Sequence, residues 1–327
     1  MDVYIKSFNR PYLLHRTIAS IYHFLQHFDA RIVVLDDGTP QKYLDKIVNL
    51  FPEVEVVKSP YYNQKSAAIS SNIVPEKVIP ANFWRDEVLK GSEHFILLED
   101  DMWFTTPVNY KEFTKNVYDS KTDMIKFRWL KNSLLISENT VAENNYFNLV
   151  QPTVFTKNAF LFDAIFRTNF LKLGSITRRL VSFDNELLKY YQLYSVAGAV
   201  FSKRYYKVCW QQNQSAIDEL NQIAQLLNGG ILFNVGHTKQ EILKATYKTT
   251  ATLMSKENLG ETVDIFLVNR ILNEAWYHEK MYDIDAFSSD LPSAWIENNL
   301  ADEALIVNWQ NWYRVFKKSY TAIGCEI

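Results

Sequence analysis

Two acidic clusters stand out as residues able to do chemistry. Glu99-Asp100-Asp101 follows the apolar run Phe95–Leu98, and Asp36-Asp37 follows the nearly continuous apolar run Arg31–Leu35. Consecutive carboxylates are costly unless water or cations balance them. They suit a hard divalent cation, which takes oxygen ligands and keeps positions open for phosphates. The plainer reading of each cluster is a solvated acidic loop, and Asp37-Gly38 is a common turn pair.

The elements around the clusters favour the chemical reading. Val3–Ser7 predicts a short strand, and Pro11 opens a helix, where its missing N–H costs little. Leu14, Ile18, Ile21, Leu25 and Phe28 follow at helical spacing. Further strands are expected at Arg31–Leu35, Val54–Val57 and Phe95–Leu98, with helices at Gln41–Leu50 and Asn82–Lys90. Alternating strands and helices imply a parallel arrangement with right-handed crossovers. Ligands of such sheets bind beyond the carboxyl ends of the strands, where both clusters fall. Met124–Trp129 reads as a further strand and Asp184–Tyr194 as a helix. Beyond residue 245 the pattern turns helical, with Ile265, Val268, Leu272, Ala275 and Trp276 on one face. A boundary is expected near 245, giving a main domain of 1–245 and a helical extension of 246–327.

Composition narrows the classes. The chain has 327 residues, 47% hydrophobic and 22% charged, so wholesale disorder is excluded. A net charge of −2 does not suit a general nucleic-acid binder, and no nucleic-acid partner is expected. Nine glycines, none in a phosphate-loop pattern, argue against a glycine-rich nucleotide cradle. Cys209 and Cys325 suggest neither a disulfide framework nor a zinc site. No signal peptide and no long apolar span is visible, so a soluble or peripheral cytoplasmic protein is expected.

Three short motifs in order resemble the GT-A glycosyltransferases, especially inverting family 2. Ile5-Lys6-Ser7-Phe8-Asn9-Arg10-Pro11-Tyr12-Leu13 resembles that family's first strand, Asn-Arg-Pro turn and first helix. Val34-Leu35-Asp36-Asp37-Gly38-Thr39 is similar to its second strand and acidic turn, and Ile96–Asp101 to its metal-binding acidic motif. The Glu-Asp-Asp spelling followed by Met102 is also similar to animal N-acetylglucosaminyltransferases that branch N-glycans. The resemblance covers residues 3–105 well and 150–190 loosely. It implies a GT-A (Rossmann-like) mixed sheet flanked by helices, with a C-terminal, mostly helical extension. It implies a transferase that moves a hexosyl or N-acetylhexosaminyl group from a nucleotide-diphosphate sugar, a UDP-sugar first, to an acceptor hydroxyl with inversion. The setting it implies is glycan or polysaccharide biosynthesis in bacteria, at the inner face of the membrane.

The same resemblance assigns residues. Asp37 would accept from the nucleotide base, and Lys6, Ser7 and Phe8 would line the nucleotide pocket. Asp101 would contact Mn²⁺ or Mg²⁺, with Asp100 beside it facing the ribose or donor sugar. The metal would offset charge on the departing diphosphate. Val181–Leu188 looks like the motif that carries the base, with Asp184 as the match and Glu186 as the alternative; helix capping by Asp184 is the structural reading. Tyr62–Ser70 departs from the family, and Lys65 is the candidate for positive charge near the donor. His237 matches a late histidine that some related transferases use on the metal or diphosphate; a surface histidine is the alternative. His15, His23 and His27 are expected on the solvated side of the first helix.

Trp210, Gln211 and Gln212 are candidates for an acceptor cleft. Trp309, Trp312, Tyr313 and Phe316 lie beside Arg314, Lys317 and Lys318, which allows peripheral membrane contact through the C-terminal helices or packing on the main domain. Two other functions stay open. A sugar nucleotidyltransferase would carry a glycine-rich basic loop after the first strand. A non-catalytic carbohydrate-binding module descended from a glycosyltransferase need not keep Asp37, Asp101 and Asp184.

Overall fold

The computed structural model describes residues 1–128, 131–211, 217–229, 233–251 and 263–326. It is a mixed α/β structure with a large mixed sheet flanked by helices. The chain divides into two compact units. One, here the motif unit, comprises Val3–Pro80, Leu98–Lys111 and Ile242–Ile327; the other, the middle unit, comprises Met1–Asp2, Ala81–Leu97 and Glu112–Glu241.

In the motif unit the strands Asp2–Ser7, Ile32–Asp36 and Val54–Lys58 run parallel, with Ser7 opposite Asp36 and Asp36 opposite Lys58. Their carboxyl ends are therefore level. Val33, Val34 and Leu35 are all buried, which explains the unbroken apolar run: helices cover both faces. Helix Pro11–Phe24 begins with proline in its first turn and buries Leu14, Ile18 and Ile21. Each fully buried side chain of this kind stabilises by about 1.5–3 kcal/mol. Helix Gln41–Leu50 buries Leu44 and Ile47, whereas Val48 stays 38% exposed. Helix Tyr62–Ser70 was not evident from the sequence, because few of its residues are apolar. It buries Lys65 and Ile69, four residues apart on one face.

The residues past 245 belong to this same unit. Helix Ile265–Tyr277 buries Ile265, Val268, Leu272, Ala275 and Trp276, the face read from the sequence. Its polar side chains are buried too. Asn273 donates to the carbonyl and Oδ1 of Asn9 at 3.0 Å each, and Tyr12 donates to Asn269 at 2.9 Å. Arg16 is buried over the Trp103 ring at 4.0 Å and donates to the carbonyls of Ala286 and Ser289. Helix Glu303–Ala322 turns Trp309 and Trp312 inward, and Trp309 Nε1 donates to the Lys248 carbonyl at 2.8 Å. Of the two readings of this aromatic side, Trp309 and Trp312 follow the packed one. Among the described residues no helix is long and apolar enough to cross a membrane.

In the middle unit, Ala199–Ser202 pairs antiparallel with His94–Leu97 on one side and with Met124–Lys126 on the other. Strand Val235–Glu241 then runs parallel to Met124–Arg128 and antiparallel to Phe147–Val150, with Thr140–Glu143 beyond. Antiparallel strands join the parallel ones, so the strand-helix alternation of the first hundred residues does not extend to the whole sheet. The expected strand at Met124–Trp129 is present through Arg128, and Trp129 lies outside the described residues.

Candidate active site

The two halves of the Asp36-Asp37 turn do different work. Asp36 is fully buried and accepts from the N–H groups of Gly38 (2.9 Å) and Thr39 (2.8 Å) and from the Thr39 hydroxyl (2.6 Å). It builds the turn. Burial pushes its carboxyl up, and these donors pull it partly back. Asp37 faces the other way and accepts from Ser59 and from Lys65 Nζ. Burial raises its carboxyl as well, and Lys65 and Ser59 oppose that rise. Lys65 Nζ also donates to the Val78 carbonyl and lies 5.4 Å from the centre of the Phe8 ring. Gly38 lets the turn close on this helix. Its φ is +140°, and a Cβ there would meet Lys65 Cβ at 2.6 Å.

The Glu99-Asp100-Asp101 cluster is tied directly to the first strand. The Asp100 N–H donates to the Lys6 carbonyl at 3.0 Å, and the Phe8 N–H donates to Asp100 Oδ2 at 3.1 Å. Arg10 bridges the two aspartates, pairing with Asp100 through Nη2 and with Asp101 through Nη1 at 2.9 Å. Lys6 pairs with Glu99 at 2.9 Å. Three acids therefore meet two cations. Burial works against the charge on Arg10, but Asp100 and Asp101 more than offset it and raise its pKa. Burial pushes the Asp100 and Asp101 carboxyls up, with Arg10 pulling both back. Glu99, although desolvated, is held below the usual carboxylate range by Lys6 and Arg10.

Arg10 belongs to the Asn-Arg-Pro turn, and only the fold shows its role. Its position directly before a proline-started helix was the available signal. The Arg10 turn is braced by Asn9, whose φ is +52° and whose N–H donates to Thr39 Oγ1 at 2.9 Å. Beyond the turn lies a cavity of about 420 Å³ lined by Asn9, Pro40, Tyr43, Ile69, Arg270 and Asn273 among others.

Lys6, Ser7, Phe8, Asp37, Lys65, Asp100 and Asp101 thus share one unit and one set of strand ends. They fit a divalent cation of the kind that takes one or two carboxylates and fills its shell from phosphate and water. Asp100 uses one oxygen on Arg10 and the other on Phe8 N–H, and its side chain is 2% exposed. Asp101 is 18% exposed and uses only Oδ2 on Arg10. Asp101 therefore has the more accessible carboxylate of the two. Among the described residues no group of three or more His, Cys, Asp or Glu could hold a metal unaided.

The remaining candidates lie in the middle unit. Asp184 is in the first turn of helix Phe183–Leu188, where Ser182 rather than Asp184 holds the cap position. Its side chain is 80% exposed, 3.9 Å from Arg178. Glu186 is 20% exposed and engaged by Lys189 at 2.6 Å. His237 is buried, with Nδ1 against the Thr238 carbonyl and Nε2 against the Ser137 carbonyl, both at 3.0 Å. Both ring nitrogens thus face backbone acceptors. Opposite it in register, Lys126 is buried, donates to the Tyr191 carbonyl, and is pushed by burial down to about 7. The sequence drew no attention to Lys126, since a lysine in an apolar strand looks like a solvated edge. Trp210 is buried, Gln211 is exposed, and Gln212 lies outside the described residues.

Neither a scan of protein-family models nor a search of curated proteins finds a match. A search of solved structures does find matches. Staphylococcus aureus TarS aligns over 98% of this chain and 54% of its own, at 11% identity and a TM-score of 0.45. Its 1–349 piece in complex with UDP aligns over 98% of this chain and 91% of its own, at 10% identity and 0.39. Glucosyl-3-phosphoglycerate synthase from Mycobacterium tuberculosis, in complex with Mn²⁺, UDP and phosphoglyceric acid, aligns over 62% and 56% at 13% identity and 0.30. This chain spans about half the length of full TarS.

Proposed function

We propose that this chain is a GT-A glycosyltransferase that moves a sugar from a nucleotide-diphosphate sugar to an acceptor hydroxyl in glycan biosynthesis. The observation that carries the reading is the Arg10–Asp100–Asp101 bridge at the end of the first strand. It sets two fixed carboxylates and a buried guanidinium on the unit that also holds the Asp37–Lys65 pair. A solvated acidic loop would lack such bracing; here Asp100 is buried and all three acids are ion-paired.

The residues divide the work as follows. Lys6, Ser7 and Phe8 form the floor on which the nucleotide would lie. Asp37, held by Ser59 and Lys65, would meet the base, with Lys65 supplying positive charge beside it. Asp100 would face the ribose or the donor sugar. Asp101 would hold Mn²⁺ or Mg²⁺, which when bound stabilises charge on the departing diphosphate. Arg10 opposes the effect of burial on both aspartates and holds them in place. Asp184, exposed and paired only loosely with Arg178 at 3.9 Å, would take the acceptor proton with inversion at the sugar carbon; Glu186 is more tightly engaged by Lys189 at 2.6 Å. His237 has no part in this assignment.

Isothermal titration with UDP and GDP, with and without Mn²⁺, tests the reading. UDP should bind more tightly with Mn²⁺, and Asp101→Asn should abolish that gain while leaving the fold intact. Asp184→Asn should keep nucleotide binding and lose sugar transfer. A folded chain that binds no nucleotide under either condition would return the weight to a carbohydrate-binding module.

A further inference from the structure

The middle unit carries an apolar surface that the proposed reaction does not use. Phe160 is 67% exposed, Leu171 76% and Leu180 77%, with Phe170 and Ile176 each at 50%. Exposed apolar residues scattered singly are ordinary, but a contiguous set marks an interaction surface. These sit on successive short elements of one stretch of chain. The rings of Phe160 and Phe170 lie 6.4 Å apart, and Ile176 and Leu180 are one turn apart on helix Leu173–Leu180. That helix packs inward through Gly174 and Thr177, leaving Ile176, Leu180 and the Arg178-Arg179 pair outside. The approach to it passes through left-handed backbone at Asn169 (φ 50°), Leu171 (φ 49°) and Lys172 (φ 62°). Such a conformation is unfavourable for a branched apolar residue, and here it delivers Leu171 to solvent.

Charge indicates what covers the surface. Residues 155–181 hold five cations and a single acid, Asp163, in a chain whose net charge is −2. Arg167 is held by Asp163 and Arg178 lies over the Phe183 ring. Lys157, Lys172 and Arg179 are exposed and have no side-chain partner among the described residues. A second copy would bring like charge to the contact and be repelled. Apolar side chains flanked by unpaired cations match a bilayer surface, where the apolar groups enter the acyl boundary and the cations meet phosphates. We propose that the surface from Phe160 to Leu180 docks this protein peripherally on an anionic phospholipid bilayer. The inference rests on exposure and charge, independently of the reaction assigned above.

Co-sedimentation of the full chain with vesicles tests it, comparing phosphatidylcholine alone with phosphatidylcholine plus phosphatidylglycerol. Binding is expected to the anionic vesicles and to fall with salt. Arg179→Glu should weaken it on the order of tenfold, since each basic residue near an anionic surface contributes about 1 kcal/mol. The pair Leu171→Ser and Leu180→Ser should weaken it comparably, and both variants should keep the wild-type melting temperature because the side chains are exposed. Val307→Ser, on the last helix, should bind as the wild type does. Absence of binding, or binding unchanged by these substitutions, would overturn the proposal. So would a dimer in light scattering that the double serine variant dissolves, because a second copy would then be the occupant.

Discussion

Removing the Arg10 guanidinium is the sharpest perturbation of the site. Arg10→Met keeps most of the aliphatic volume and deletes the charge that joins Asp100 to Asp101. Arg10 is 4% exposed and Asp100 1%. Breaking a buried pair from one side leaves an uncompensated charge and costs about 3–5 kcal/mol. Asp101 is more exposed, so its share is smaller, and about 3 kcal/mol is the working expectation. That corresponds to a fall in melting temperature of roughly 4 °C for a chain of this size. The pH dependence gives a second reading of the same physics. Burial already raises the Asp100 carboxyl, and losing Arg10 raises it further. A carboxyl with a raised folded pKa favours folding while protonated, and that contribution is lost as pH rises towards the folded value. The deficit of Arg10→Met should therefore shrink at pH 5 and widen at pH 8, measured by denaturant unfolding. Asp100→Asn added to Arg10→Met should recover part of the loss. An Arg10→Met protein within about 0.5 kcal/mol of wild type at pH 8, the range of ordinary surface substitutions, would refute the account of the bridge.

Three further outcomes follow from particular contacts. Gly38→Ala places a Cβ 2.6 Å from Lys65 Cβ at a φ of +140°, so it should displace the Lys65 helix, destabilise the fold by about 1–3 kcal/mol and weaken nucleotide binding in titration. A fragment ending at residue 245 removes Asn273 from Asn9, Asn269 from Tyr12 and the carbonyls that hold Arg16, and it should be insoluble or molten in circular dichroism and proteolysis. His15 accepts from Trp276 Nε1 at 3.1 Å, and burial, then Lys46, pushes it down to about 4. Its folded pKa lies below the unfolded one, so its contribution is present above about pH 6.5 and fades as pH falls towards 4; His15→Gln should flatten the wild-type stability profile in that window.

The local elements of the motif region follow from the sequence by itself. A proline start with apolar residues at helical spacing forces helix Pro11–Phe24, and a run of Val and Leu ending in Asp-Asp-Gly forces a buried strand into a turn. Because those signals are local, the placement of both acidic clusters at strand ends was legible, as was the buried face of helix Ile265–Tyr277. The division of labour within the clusters was not. Asp36 and Asp37 are identical in type and adjacent, and only the tertiary structure makes one the builder of the turn and the other the partner of Ser59 and Lys65. His15 sits on what reads as a polar helix face, yet it is covered by Trp276, a residue 261 positions away. Arg10 meets its carboxylates across 90 residues of chain, and Asn273 reaches Asn9 across 264. Pairings over such distances depend on which elements pack together, and spacing along the chain carries no record of that. The sequence specified strands, helices and turns because backbone propensity acts between near neighbours, and the fold alone decided which charges would be buried together.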